Sequence, residues 1–227
     1  MRTGSFTSGE GPGAITADGC AVDLYAELPV GREPEVIHAA VPGTASILEL
    51  GCGAGRVTRP LVALGYEVTA VDESAEMLAH VTGARTVKAR IEDLDLPDRF
   101  DVVLLASHLV NVPDDALLAS LLACTRRHVK SDGCVILERH PANWFDQAAP
   151  SEQERDGITF VLRGISRPAH DLLRATVEYR IGARVWSQTF TTRRLDDVRF
   201  AAVLHAAGLR FDTALTDDGS WVRAVPA

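Results

Sequence analysis

A glycine-rich segment between a predicted strand and a predicted helix is the clearest sign of chemistry in this sequence. The run ILELGCGAGRVTRPL covers residues 47–61 and holds Gly51, Gly53 and Gly55. Glycine lets a backbone turn sharply and approach a ligand without a Cβ atom in the way. Asp72 ends the next predicted strand, where a carboxylate can accept hydrogen bonds from both hydroxyls of a ribose. These residues predict an adenosine-containing cofactor at the carboxyl edge of a parallel sheet.

The spacing of the glycines separates two classes of cofactor. Dinucleotide-binding loops follow the pattern GxGxxG/A, in which a small sixth residue lets the helix pack closely. Here the sixth position is Arg56, which we predict to start the helix exposed. Glu49 also places a carboxylate near the loop. Its negative charge is unfavourable beside a pyrophosphate but acceptable beside a ligand that carries an ammonium and a sulfonium group. An NAD-dependent oxidoreductase is therefore the less favoured alternative.

The motif ELGCGAG, together with Asp72, closely resembles motifs I and II of the Rossmann-like (class I) S-adenosylmethionine-dependent methyltransferases. Residues 98–111, DRFDVVLLASHLVN, resemble the fourth-strand motif of that family, and residues 209–225 resemble its terminal antiparallel strand pair. A β-rich stretch before that pair is reminiscent of small bacterial amine and amino-sugar N-methyltransferases. The resemblance implies S-adenosylmethionine as the cofactor and S-adenosylhomocysteine as the product.

The resemblance also implies roles for individual residues in cofactor binding. The backbone of Gly51, Cys52 and Gly53 would run alongside the methionyl part of the cofactor. Glu49 would orient the loop or contact the amino group of the cofactor. Asp72 would bind the ribose, although it could instead only cap the next helix. The remaining cofactor-binding candidates lie near the adenosine, on the covering helix or after the fourth strand: Glu73, Ile91, Glu92, Tyr25 and Ser107.

One position departs from the family pattern. An acidic residue often ends the third strand and meets the adenine amino group, but this sequence has Arg90 there. Arginine has no hydrogen-bond acceptor. Glu92, Asp93 or a backbone carbonyl would take the role, and Ile91 could cover the adenine ring. Tyr25 is expected either to reach the cofactor or substrate or simply to be buried by its helix.

The candidates for methyl transfer follow the fourth and fifth predicted strands. His108 and His140 are the catalytic candidates because histidine titrates near physiological pH and can act as a base. Either could instead shape the pocket without moving a proton. The same region contains further polar and aromatic residues that could contact the acceptor or its pocket: Ser107, Asn111, Glu138, Trp144 and Phe145. Trp186 could be a core residue or a dimer contact.

The elements that must position these residues alternate between strands and helices from residue 17 onwards. Predicted strands at 46–50, 68–72, 86–90, 100–107 and 134–139 are separated by predicted helices, which indicates a parallel sheet. Residues 141–194 contain β-rich runs that predict an antiparallel insertion. The fold class is therefore α/β: Rossmann-like and doubly wound. It has a mainly parallel seven-stranded sheet, a C-terminal antiparallel pair and a β insertion. We predict a flexible tail at 1–16 and one methyltransferase domain at 17–227.

Composition narrows the partners of the 227-residue chain. Its formal net charge of −8 is unusual for a nucleic-acid-binding protein, so a small-molecule substrate is expected and nucleic acid is not. The four cysteines lack the close spacing of zinc ligands and indicate reduced thiols in a cytoplasmic protein without a bound metal. No apolar run predicts a membrane span. A homodimer through the insertion is left open, as is a cofactor-binding module without catalysis.

Overall fold

The structure is a computed structural model that describes residues 6–41, 43–141 and 143–227. Twelve strands and seven α-helices occur within these ranges. In chain order they are β1 (Thr7–Glu10), α1 (Val22–Glu27), α2 (Glu33–Ala40), β2 (Ser46–Leu50), α3 (Thr58–Ala63), β3 (Glu67–Asp72), α4 (Ala75–Leu78), β4 (Arg85–Lys88), β5 (Phe100–Leu105), α5 (Asp115–His128), β6 (Val129–Glu138), α6 (Trp144–Gln147), β7 (Ser151–Arg155), β8 (Ile158–Ala169), β9 (Leu172–Ile181), β10 (Arg184–Arg193), α7 (Asp197–Ala206), β11 (Leu209–Ala214) and β12 (Trp221–Pro226).

Seven strands form one sheet in the order β11-β12-β6-β5-β2-β3-β4. The strands from β6 to β4 run parallel, while β12 pairs antiparallel with β6 and β11 with β12. Helix α5 buries Leu118, Leu121 and Leu122 against one face of the sheet. Ile37 of α2 and Leu61 of α3 are fully buried in the core on the other face. Because helices cover both faces of the sheet, the central strands are continuous apolar runs in the sequence. The predicted α/β fold is confirmed.

The structure moves several predicted boundaries. Strand β6 begins at Val129, five residues before the predicted start, because Val129 pairs with Phe100 and the polar stretch that follows is carried into the sheet. Tertiary pairing overrides local propensity at this boundary. The first helix begins at Val22, after a turn in which Thr16 Oγ1 accepts from the Cys20 amide at 2.9 Å.

A second, antiparallel sheet has the order β1-β10-β9-β8-β7. Four of its strands come from the predicted insertion, but the fifth is Thr7–Glu10 at the N-terminus, which pairs with residues 187–190 of β10. The prediction of a flexible tail over 1–16 is therefore wrong for this strand, and residues 1–5 of that prediction lie outside the described residues. Backbone pairing needs no apolar side chains, so a composition argument cannot detect it.

The chain between β1 and α1 is fastened to the second sheet. Gly11 lies against Trp186, and a Cβ atom there would come within 2.3 Å of the indole. The indole Nε1 of Trp186 donates to the carbonyl of Pro12 at 2.8 Å. Trp186 is only 1% exposed, so it is a core residue. Arg184 donates to both carboxylate oxygens of Glu27 at 2.6 and 2.7 Å, which holds α1 in the same way.

Candidate active site

The predicted site residues meet along the carboxyl edge of the seven-stranded sheet. Gly51 follows β2, Asp72 ends β3, His108 follows β5, and Glu138 ends β6 with His140 just beyond. Parallel strands necessarily gather such residues at one edge, which is where doubly wound proteins bind ligands. Helix α1 and the second sheet lie above this edge.

The glycine loop after β2 needs glycine for two separate reasons. Gly51, Gly53 and Gly55 have φ angles of 73°, 54° and 80°, a backbone region that strains residues with a side chain. A Cβ atom on Gly51 would also lie 2.9 Å from Leu109 Cδ1 and 3.6 Å from Ile91 Cδ1. The loop is held open by its amides, because Gly51 and Cys52 both donate to the carbonyl of Val71, at 2.8 and 2.9 Å. The Cβ position of Gly51 therefore faces the side chains of Leu109 and Ile91, and a larger residue there would have to displace Leu109.

Asp72 connects the glycine loop to the start of α4. Its Oδ2 accepts from the Gly53 amide at 2.8 Å, and its Oδ1 accepts from the Ser74 amide at 2.9 Å. Ser74 caps α4 by accepting from the Met77 amide at 3.1 Å. Burial raises the pKa of Asp72, and the hydrogen bonds from the amides oppose that effect. The helix is therefore capped by Ser74 and not by Asp72, which instead links the glycine loop to the residue before α4, and the partly exposed carboxylate reaches the edge of the sheet.

Glu49 is buried under the same loop, with 3% of its surface exposed. Thr58 Oγ1 donates to its Oε2 at 2.6 Å, which joins β2 to the first turn of α3. Burial raises the pKa of Glu49 to about 7, although the Thr58 hydroxyl and the charge of Arg56 lower it. This contact favours the loop-orienting role among the two roles considered. Cys52 beside it is buried, and its pKa is raised by burial, so the thiol stays protonated.

Arg56 is not exposed at the helix start as predicted. Its side chain is 24% exposed and forms an ion pair with Glu33 of α2, whose side chain is 14% exposed. The charge of Arg56 acts on Glu49, on His108 and on Tyr179 of β9. Sequence reasoning missed Glu33, because nothing local connects the N-terminal helices to the glycine loop.

Tyr25 covers the glycine loop from α1. A Cβ atom on Gly53 would lie 3.8 Å from Tyr25 Cδ1, and the Tyr25 hydroxyl donates to Gln188 Oε1 of β10 at 3.1 Å. Gln188 Nε2 in turn lies 3.3 Å from Cys20 Sγ. Burial raises the pKa values of Tyr25 and Cys20, the latter to about 12. Gln188 was missed, although a polar residue between Trp186 and Phe190 on one face of a strand was a usable signal.

Glu73 and Arg90 lie in the part of the site where the adenosine of the cofactor is predicted to bind. Arg90 lies 4.0 Å from Glu73 and 3.8 Å from Asp93, and it forms a hydrogen-bonded ion pair with Glu92. A cavity of about 310 Å³ opens nearby between the N-terminal segment and the residues after β3. Its lining includes Ala14–Ala17 together with Glu73, Ser74 and Glu76. The contribution of residues 14–16 was not foreseen, since they fell in the predicted tail.

His108 sits on a strained turn at the end of β5. Ser107 and His108 have φ angles of 55° and 56°, which are unusual for residues other than glycine. Glu138 Oε2 holds the turn by accepting from the Ser107 amide at 2.6 Å. Its Oε1 lies 3.8 Å from His108 Nε2, too far for a hydrogen bond. Burial lowers the pKa of His108, and the charge of Glu138 partly restores it.

Three aromatic rings stack beside this turn. The His108 and His140 ring centres are 4.1 Å apart at an angle of 25°, and the His140 and Trp144 centres are also 4.1 Å apart, at 7°. Phe145 packs against His140 nearly at right angles, with centres 5.9 Å apart. Burial, and secondarily the neighbouring His108, lower the pKa of His140 to about 2. The two catalytic candidates are therefore in contact but in different environments.

Asn111 is buried and occupied by structural bonds. Its Oδ1 accepts from the His140 amide at 3.0 Å, and its Nδ2 donates to the carbonyl of Arg193 in β10 at 2.8 Å. Thr192 Oγ1 also donates to the Asn111 carbonyl at 3.2 Å. Asn111 thus joins the carboxyl edge of the first sheet to the second sheet, and its amide is not free to meet an acceptor molecule.

Comparisons with known proteins define the class to which this fold and edge belong. Residues 47–133 match a methyltransferase domain family. A ubiquinone biosynthesis O-methyltransferase from Xanthomonas campestris pv. campestris is 35% identical over 118 residues, 48% of this chain and 48% of that protein. The CcbJ methyltransferase from Streptomyces caelestis is 22% identical with a TM-score of 0.73, covering 91% of this chain and 96% of that one. A sugar N-methyltransferase from Streptoalloteichus sp. is 24% identical with a TM-score of 0.68, covering 96% and 98%.

Residues 47–133 are thus similar to a methyltransferase domain family, and the chain has the fold of S-adenosylmethionine-dependent methyltransferases. The predicted fold is confirmed, and an amino pentose methyltransferase from Micromonospora echinaspora that shares it was solved with S-adenosylmethionine bound. The chain spans about half the length of the curated relatives it matches. None of the helices within the described ranges is long and apolar enough to cross a membrane.

Proposed function

We propose that this chain transfers the sulfonium methyl group of S-adenosylmethionine to a nitrogen or oxygen atom of a small molecule in the cytoplasm. The observation that carries the proposal is the convergence of the glycine loop, Asp72 and His108 at one edge of the sheet. The names of related proteins support both acceptor atoms, since one is an O-methyltransferase and another a sugar N-methyltransferase.

The chemistry of the edge fits the cofactor. Gly53 has no side chain, and the nearest atom to its Cβ position is Tyr25 Cδ1 at 3.8 Å, so a ligand could approach the backbone of the loop there. Asp72 would hold the ribose hydroxyls, and Glu49 would set the loop beside the amino group. Glu73, Ile91 and Glu92 would surround the adenosine, with the hydroxyl of Ser107 and the ring of Tyr25 closing the site. The bound cofactor supplies an activated methyl group, so the protein need only align the acceptor and exclude water.

His108 is the residue we assign to the acceptor's proton. Its Nε2 faces the carboxylate of Glu138 across 3.8 Å, and its lowered pKa keeps the imidazole neutral and able to accept a proton. Once protonated, the imidazolium would be stabilised by Glu138, whose position is fixed by the Ser107 amide. The inner face of the second sheet, with Tyr179 and Gln188 partly exposed, would contact the rest of the acceptor.

Two assays test this function. Calorimetry with S-adenosylhomocysteine and with NAD should give binding of the former only, and tight NAD binding would contradict the proposal. Transfer of a labelled methyl group from S-adenosylmethionine to a panel of amino sugars, small amines and catechols should identify an acceptor. Binding of S-adenosylhomocysteine without transfer to any member would instead favour a cofactor-binding module.

A homodimer through the insertion is a second part of the proposal. Strand β7 is an edge strand whose five residues are all exposed, so its backbone is open to another chain. Light scattering during size exclusion should give twice the monomer mass. The monomer mass at all concentrations would contradict this part alone.

A further inference from the structure

We infer that His140 is a positioning residue that fixes the ring of His108, and that it takes no part in proton transfer. The inference deepens the proposed function, since it assigns different roles to the two histidines at the same site. It rests on how the stacked rings are arranged and on what holds His140 in place.

Both faces of the His140 imidazole are covered. His108 lies on one face and Trp144 on the other, each with ring centres 4.1 Å away. The ring of Phe145 closes in at right angles. Stacking on both faces fixes the plane of the His140 ring, and the contact with His108 in turn restricts the plane of the His108 ring. His140 is therefore well placed to support its neighbour.

The backbone of His140 is fixed independently of its ring. Its amide donates to Asn111 Oδ1, and Asn111 is tied to the carbonyl of Arg193 and to the hydroxyl of Thr192. These contacts connect the last strand of the second sheet to His140 and, through the stack, to His108. The sheet that would hold the acceptor therefore also sets the ring that would take its proton.

The stack requires one neutral ring. Two imidazolium ions 4.1 Å apart would repel each other, so only one of the pair can be protonated. Burial keeps His140 neutral, with its pKa lowered to about 2. The charged groups that act on His108 are Glu138, Glu33 and Arg56, and the Arg139 carbonyl is also close. His108 can thus gain or lose a proton while the stacked ring of His140 stays neutral.

The test is an NMR titration of the imidazole of His108 in the free protein, which requires no acceptor. His140→Phe keeps an uncharged aromatic ring in the stack, whereas His140→Ala removes it. We expect the pKa of His108 to be unchanged in the Phe variant and to rise towards 6.5 in the Ala variant, since the side chain, already 38% exposed, then becomes more exposed to water. His170→Ala is the matched control, because that side chain is 95% exposed, and it should change nothing.

An unchanged pKa of His108 in His140→Ala would overturn the inference, as would a titration of His140 itself between pH 5 and 9. If His140→Ala does not fold, Trp144→Leu removes the outer ring and should raise the pKa of His140 instead. With an acceptor from the panel, His140→Phe should keep kcat, and His140→Ala should lower it about 10- to 100-fold through misplacement. Loss of activity in His140→Phe equal to that in a His108 variant would also overturn it. The titration succeeds or fails whether or not any acceptor is methylated, so the two proposals can fail separately.

Discussion

The carboxyl and amino edges of the seven-stranded sheet use the same residue types in opposite ways. At the amino edge, Asp101 accepts from the Ser46 amide and hydroxyl at 2.8 and 2.6 Å and from Lys130 Nζ at 2.7 Å. These partners lower its pKa to about 2. At the carboxyl edge, burial raises the pKa values of Asp72 and Glu49. The amino edge stabilises the negative charge of Asp101. At the carboxyl edge, hydrogen bonds and nearby charges only partly offset the effect of burial on the carboxylates, which is common in binding sites.

The histidines repeat this contrast. His128, at the end of α5, is fully buried, and both ring nitrogens have partners. Its Nε2 accepts from the Leu96 amide at 3.1 Å, and its Nδ1 lies 2.9 Å from the Cys124 carbonyl. Among the described residues, His108 Nδ1 is instead buried without a hydrogen-bond partner, and its Nε2 faces Glu138 across 3.8 Å. A satisfied histidine supports the fold, and an unsatisfied one is available for chemistry.

The same substitution at these two histidines should have the largest and most divergent effects. Asparagine tolerates the left-handed backbone at residue 108, so His108→Asn should keep the fold and lower kcat by about 100- to 10,000-fold, the usual contribution of a general base. His128→Asn should leave the Leu96 amide unpaired and lower the free energy of unfolding by about 1–3 kcal/mol. Methyl-transfer kinetics and urea unfolding measure the two effects. Equal kcat losses in both variants would remove the contrast.

The raised pKa of Glu49 predicts a pH-dependent stability. A carboxyl whose folded pKa, about 7, exceeds its ordinary value of 4.5 stabilises the fold fully below pH 4.5, and the contribution is lost as pH rises through 7. Between pH 5 and pH 8, native protein should therefore lose about 2 kcal/mol more than Glu49→Gln, which keeps the acceptor for Thr58. Urea unfolding at both pH values measures this difference, in which the buried histidines cancel. A parallel pH dependence in the two proteins would show that Glu49 has no raised pKa.

Two glycines with positive φ separate backbone strain from blockage of the site. Gly65, before β3, has a φ of 94° and open space around it, whereas Gly51 has a φ of 73° and Leu109 close by. In both alanine variants, the strain of a left-handed backbone should lower the free energy of unfolding by about 1–2 kcal/mol. Gly51→Ala should lose about 1 kcal/mol more from overpacking, and it alone should weaken binding of S-adenosylhomocysteine. Equal stability and affinity in the two variants would mean that the space beside Gly51 is unimportant.

Sequence reasoning succeeded where one local segment sufficed. The strand, the glycine loop and the position of Asp72 follow from residues 46–72. It failed where partners are far apart in the chain. The pairing of Thr7–Glu10 with β10 depends on a free strand edge more than 170 residues away. The stacking of His108 on His140 depends on two strand ends that only the folded sheet brings together.

The central claim is that ligand binding belongs to the carboxyl edge and stability to the amino edge. Calorimetry of S-adenosylhomocysteine with Asp72→Asn and Asp101→Asn tests it most directly, because the two variants make the same change at opposite edges of the same sheet, in two parallel strands that both pair with β2. We predict that Asp72→Asn weakens binding about 10- to 100-fold, from the loss of charged hydrogen bonds, while Asp101→Asn lowers the melting temperature and binds as the native protein does. Native affinity in Asp72→Asn, or an equal loss in Asp101→Asn, would contradict the account.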